Sequence, residues 1–189
     1  MKKLALLLFA MLMATPFFSQ GHLKFCEVPI DGHIDAFVTK MKQKGYTEIE
    51  REDEMSYYVV MKGKISDKDV ELCVKFSPTS KTVYAIIAYA EGATTWNSLK
   101  PAYENCKEAY TKKYVDYEVE VTESFTAPYR EGDGREMKAL EEFECTYKTT
   151  LRGDQGEIAI SIDNTCRIAV TYTDLANEEL NTIEWEDYF

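Results

Sequence analysis

The chain has 189 residues, with 22 basic side chains against 33 acidic ones and a formal net charge of −11. Affinity for nucleic acid comes from Lys and Arg displacing counterions, so this balance excludes nucleic acids and anionic membrane surfaces as partners. A chain of this length makes one domain or two small ones and buries a core without needing staples.

Lys2 and Lys3 open the chain, Leu4 to Met13 is an unbroken apolar run, and Thr15, Pro16 and Ser19 follow as a helix break and small residues. Residues 1–20 read as a secretory signal peptide, too short for a stable anchor of roughly 20 apolar residues. Loss of Lys2 and Lys3 takes the charge from −11 to −13. No later apolar run suggests a membrane span, and no cysteine stands at the cleavage point to take a lipid. The expected product is exported, either periplasmic or secreted. Glu48 to Glu54 and Glu184 to Asp187 are acidic clusters that read as solvated loop and tail.

In the mature chain Asp31 caps a predicted helix whose face carries Ile34, Phe37, Val38 and Met41 and which Gly45 ends. Period-2 alternation then predicts a three-stranded antiparallel meander from Met55 to Met61, Val70 to Phe76 and Val83 to Tyr89, with turns over Lys62 to Asp69 and Pro78 to Lys81. Trp96, Leu99, Tyr103, Cys106 and Tyr110 step by threes and fours and predict the longest helix, capped by Thr95 or Ser98. Pro101 must sit in its first turn or kink it. Tyr114 to Val121 is a strand candidate, and Arg135 to Leu140 a short helix. A second meander follows over Phe143 to Tyr147, Ile158 to Ile162 and Cys166 to Tyr172, with turns at Arg152 to Gly156 and Asp163 to Thr165. Val83 to Glu91 (VYAIIAYAE) matches Cys166 to Asp174 (CRIAVTYTD) by residue type. The predicted fold class is α+β: two similar helix-plus-antiparallel-meander halves, over 21–115 and 116–189, packed closely and joined by a long helix. Thr173 to Phe189 is a tail of mixed helical signal, whose Trp185, Tyr188 and Phe189 are expected to dock on the body or on a partner.

The signal peptide, Phe25 to Gly32 (FCEVPIDG) opening a helix that ends in Lys44-Gly45-Tyr46, and the run Gly156 to Ile162 followed by Ile168 to Asn177 (IAVTYTDLAN) resemble small secreted proteins of gut Bacteroidetes. The doubled helix-plus-sheet plan is also similar to secreted bacterial β-lactamase inhibitor proteins, at the level of architecture only. The motifs that carry the resemblance are structural punctuation, so it brings no catalytic residue to this chain.

Chemistry-bearing patterns are sparse. His22, read as lying at a frayed N-terminus, and His33, in the first turn of the first helix, are the only histidines. No His-Glu-x-x-His, Gly-x-Ser-x-Gly, Cys-x-x-Cys, EF-hand loop or phosphate loop occurs, so no metal or cofactor is expected. Export permits disulfides among Cys26, Cys73, Cys106, Cys145 and Cys166, but five is odd and the pairing, including none, stays open. Cys73 shares a strand face with Glu71 and Lys75, and if it is bridged, Cys26 is the partner expected to cover it. Thirteen tyrosines are many, and tyrosine suits interfaces. Tyr57, Tyr84, Trp96 and Tyr103 are the candidate binding residues, for a protein or a glycan. The expected function is that of an exported, non-enzymatic binding protein. The alternatives are an envelope hydrolase using carboxylates and an inhibitor of another exported protein.

Overall fold

The computed structural model describes residues 21–50 and 57–188. Residues 1–20, read above as a signal peptide, Glu52 to Met55 and Phe189 lie outside the described residues. The fold is α+β, built on one eight-stranded antiparallel sheet. In chain order the elements are a small hairpin of β1 (Lys24–Phe25) and β2 (Val28–Pro29), then α1 (Ile34–Gln43), β3 (Thr47–Ile49), β4 (Tyr58–Ile65), β5 (Lys68–Phe76) and β6 (Val83–Ala90). They continue with α2 (Trp96–Lys113), β7 (Glu118–Phe125), α3 (Glu136–Glu141), β8 (Cys145–Gly153), β9 (Gly156–Ile162), β10 (Ile168–Asp174) and α4 (Leu175–Tyr188). The sheet runs in the order β3-β4-β5-β6-β10-β9-β8-β7.

The two meanders therefore join into one sheet along the β6–β10 seam, where Ile86 faces Tyr172 and Tyr89 faces Ala169. On either side of the seam the chain repeats a helix followed by four strands. In this repeat α2 is the counterpart of α1, and α3 is an addition between β7 and β8. The letter match between the closing strands is one residue out of phase with this repeat. It sets Val83 against Cys166, an odd separation, whereas side chains alternate faces with period two. Equivalent residues on paired antiparallel strands keep the same face only at an even separation. Tyr89 accordingly lies on one face, beneath the Arg167 guanidinium at 4.2 Å, while Tyr172 lies on the other, edge-on to Phe25 at 5.2 Å.

One face of the sheet carries the core. Met61, Leu72, Val74, Ile86, Leu151 and Ile158 are fully buried there, together with Phe37 and Met41 of α1 and Leu99 and Tyr103 of α2. The predicted apolar face of α1 is the buried one, and each such aliphatic side chain contributes about 1.5–3 kcal/mol. The cap of α1 is His33, not Asp31. His33 pairs with Thr82 in extended conformation, and its Nδ1 accepts from the Asp35 amide at 3.3 Å. Pro101 lies beyond the first turn, inside α2. The opposite face carries Val60, Glu71, Cys73, Lys75, Tyr89 and Thr171 in register.

Lys62-Gly63-Lys64 is strand, not turn, because β4 continues to Ile65 and the chain reverses at Ser66 and Asp67, both with positive φ (49° and 66°). Gly63 is needed for space. A Cβ there would meet the Tyr46 ring at 2.3 Å, and a Cβ at Gly153, at the end of β8, would meet the Tyr117 ring at 2.4 Å. Each half thus sets the ring of a tyrosine, just ahead of its first strand, against a glycine of its second. Phe143, expected on a strand, instead has φ 61° and is exposed.

The C-terminal tail is α4, which packs against β6, β9 and β10. It buries Asn177 and Asn181 and exposes Leu175, Leu180 and Ile183. Asn177 Nδ2 donates to the carbonyls of Ile30 (2.9 Å) and Val83 (3.2 Å), Glu184 accepts the amides of Thr79 and Ser80, and Trp185 docks edge-on against Tyr57 at 4.8 Å.

Candidate functional site: a tyrosine cleft under the N-terminal hairpin

On the helix-covered side of the sheet, the β1–β2 hairpin and the C-terminal end of α2 enclose a cleft of about 680 Å³. Helical spacing brings Tyr110 and Tyr114 to one side of α2, and Tyr117 follows one turn later. Tyr110 and Tyr114 are stacked, with centroids 6.0 Å apart and planes 20° from parallel. Tyr117 leans on Tyr114 at 5.0 Å. Tyr172 of β10 closes the cleft from below, and its hydroxyl shares a 2.5 Å hydrogen bond with that of Tyr110. The rim is polar: Lys24, Glu27, Lys113 and Gln155 line it, and Lys113 Nζ lies 5.0 Å over the Tyr114 ring.

The hairpin is held down by a buried carboxylate. Asp174, at 1% exposure, accepts the Leu23 amide at 2.8 Å and the Asn177 amide at 3.1 Å, and His22 Nδ1 lies 3.1 Å from it. His22 is therefore tethered and not frayed, and its Nε2 also lies 3.5 Å from Asp31. At the hairpin tip, Cys26 and Glu27 both take positive φ (48° and 64°), and Cys26 Sγ lies 3.6 Å from the Tyr46 hydroxyl.

Burial pushes the Tyr110 hydroxyl up to about 12 and raises Tyr172 as well, so both stay neutral donors and acceptors at physiological pH. Burial likewise pushes Cys106 up to about 11 and Cys145 up to about 12, leaving neither as a thiolate nucleophile. Among the described residues no group of three His, Cys, Asp or Glu side chains is placed to hold a metal ion, and no helix is long and apolar enough to cross a membrane.

The four candidate binding residues do not meet. Tyr103 is fully buried, its hydroxyl 2.7 Å from Thr149 Oγ1. Trp96 is wedged edge-on against Tyr147 and Phe125 at 5.0 and 5.8 Å. Both belong to the apolar stripe of α2, which faces the sheet. Tyr57 packs on Trp185. Tyr84 is half-buried, and its hydroxyl is pushed up to about 12 by burial and then by the nearby charge of Glu178. All five cysteines are thiols. The Cys26–Cys73 bridge is not formed because the sheet stands between them: Cys26 sits by Tyr46 on the helix-covered side, while Cys73 pairs with Val60 and Ile87 on the other. The spacing Tyr110, Tyr114, Tyr117, continuing past the last turn of α2, was the sequence signal for the cleft.

No known protein family, curated protein or solved structure matches this chain.

Proposed function

We propose that this chain is an exported, non-enzymatic binding protein whose tyrosine cleft takes a saccharide segment. The observation that carries this reading is the row of Tyr172, Tyr110, Tyr114 and Tyr117 along a cleft of about 680 Å³. That size falls within the range of small-ligand sites, which combine aromatic walls with a few polar groups. Tyrosine offers a sugar both an apolar ring and a hydroxyl, and Lys24, Glu27, Lys113 and Gln155 supply rim hydrogen bonds.

Calorimetric titration of the mature chain with a panel of neutral and charged oligosaccharides tests the proposal. At least one class should bind, and Tyr114→Ala should weaken it by about tenfold or more, as expected for loss of a desolvated aromatic contact, with the circular dichroism unchanged. The reading is overturned if no saccharide binds the folded protein, or if Tyr114→Ala and Lys113→Ala leave the affinity as it was.

A further inference from the structure

The sheet has two edges of very different character. At one end β3 is three residues long. At the other, β7 runs eight residues, Glu118 to Phe125, pairs with β8 at every position without a bulge, and has no strand on its outer side among the described residues. Seven of its eight residues are exposed. Edge strands of this length are usually blunted by proline, charged side chains or a bulge; β7 has no proline and no bulge, and its only charges are Glu118, Glu120 and Glu123.

Its two faces differ. Val119 and Val121, 42% and 50% exposed, point to the helix-covered side but beyond the cover of α2. Glu118 and Glu120 point to the other side, with Thr122 and Ser124. The edge stays net acidic despite its ion pairs. Arg152 serves both Glu120 (2.7 Å) and Glu157 (3.0 Å), Lys107 serves both Glu123 and Glu104 at 2.7 Å, and Glu118 has no ion pair among the described residues. On that face Arg152 stands directly opposite Glu118 in register and Lys148 stands opposite Thr122. The charge pattern discriminates between partners. The only charged side chains of β7 are glutamates, so a second copy of β7 offers them no cation in any register and in some registers sets glutamate against glutamate, which destabilises a strand pair. A strand with basic residues opposite Glu118 and Glu120 and apolar residues alongside Val119 and Val121 would satisfy both faces.

We infer that β7 is a docking edge for an extended polypeptide segment of alternating basic and apolar residues, which adds to the sheet as a ninth strand. Main-chain hydrogen bonds along the edge supply affinity and the alternation supplies specificity. No residue of β7 lines the tyrosine cleft, although Tyr117 of the cleft wall directly precedes the strand, and exchange of β7 amides reports on the edge apart from saccharide titration of the cleft.

The test uses an alternating Lys-Val octapeptide and, as controls, its Glu-Val counterpart and a version with proline at the centre. The whole mature chain is followed by amide hydrogen exchange and heteronuclear NMR. The Lys-Val peptide should slow exchange of alternate β7 amides, whose outward N–H groups gain acceptors. Neither control should do so, and raising the salt should weaken the effect. The doubly charge-reversed Glu118→Lys/Glu120→Lys variant, checked for an unchanged fold, should bind about tenfold more weakly or worse, the fold-change expected when two favourable cross-strand pairs become repulsive. The Val119→Thr/Val121→Thr variant should weaken binding with its salt dependence unchanged. The inference is overturned if protection appears away from β7, if the Glu-Val peptide binds equally, if charge reversal leaves affinity unchanged, or if the wild-type chain pairs with itself through β7 in concentration-dependent sedimentation.

Discussion

Tyr46 and Tyr117 occupy corresponding places in the two halves. Each precedes the first strand of its half, and each ring lies over a glycine of the next strand, Gly63 or Gly153. Their surroundings differ. The hairpin covers Tyr46 with Phe25 and Cys26, leaving it 4% exposed, with its hydroxyl donating to the Lys64 carbonyl at 3.3 Å. Tyr117 has no such cover and stays half-buried as one wall of the cleft. The same local packing is structural where a further layer lies over it and available for binding where that layer is missing.

Substitution should separate the two roles. Tyr46→Ala should cost about 3–5 kcal/mol, in the range of other large buried aromatics, because the cavity lies under the hairpin. Tyr117→Ala should cost about 1 kcal/mol, since most of its surroundings can relax, and its main effect should be on ligand binding. Urea unfolding of both variants checks the contrast, and equal losses would break it. Next in size, Asp174→Ala removes the acceptor for two buried amides and for His22. It should cost about 2–3 kcal/mol and speed hydrogen exchange at Leu23 and in the hairpin well before it does so in β8. If hairpin and sheet lose protection together, the hairpin is not a separable cover. Smaller again are the glycine variants. Gly63→Ala should destabilise by about 1–3 kcal/mol, the usual cost of overpacking, because the pinned Tyr46 ring cannot yield. Gly153→Ala should cost under about 1 kcal/mol, because the Tyr117 ring can swing toward solvent. The smallest effect concerns Glu178, whose carboxyl is raised above the usual carboxylate range by burial and whose Oε2 is buried without a hydrogen-bond partner. A raised folded-state value favours the protonated native form, so stability is full below the ordinary carboxylate range and falls as pH rises through the shifted one. Glu178→Gln should therefore raise the melting temperature at neutral pH by a few degrees, about 1–3 °C, and the gain should vanish in acid. A gain that persists in acid would show that ionisation is not its source.

Much of this was legible in the sequence. The periodic face of α1, the stripe of α2, the closing strands and the α+β class all follow from spacing alone, because buried faces must be apolar with the period of their element. Cys73 falls on the Glu71 and Lys75 face for the same reason. The hairpin was illegible because its strands are two residues each and its turn is Cys26-Glu27, without the glycine or asparagine that marks positive φ. Gly63 reads locally as a turn signal, and its role comes from Tyr46, whose contact spans the intervening residues. The cleft escaped because its walls come from separate elements: the β1–β2 hairpin, the end of α2 and β10. Trp96 and Tyr103 drew notice as aromatics, but the stripe that makes them conspicuous is the one that buries them.

The seam between β6 and β10 also has a kinetic consequence. Within the two meanders the ladders join strands adjacent in the chain, whereas the seam joins strands some eighty residues apart, such as Ile86 with Tyr172. Closing a long loop costs entropy before any contact repays it. Each meander should therefore gain protection early in refolding and the seam last, so pulse-labelled amides of β4 with β5 and of β8 with β9 should be protected before those shared by β6 and β10. Until then the chain presents two inner strand edges complementary to those of any neighbouring copy, and refolding at high concentration should yield dimers that have exchanged halves.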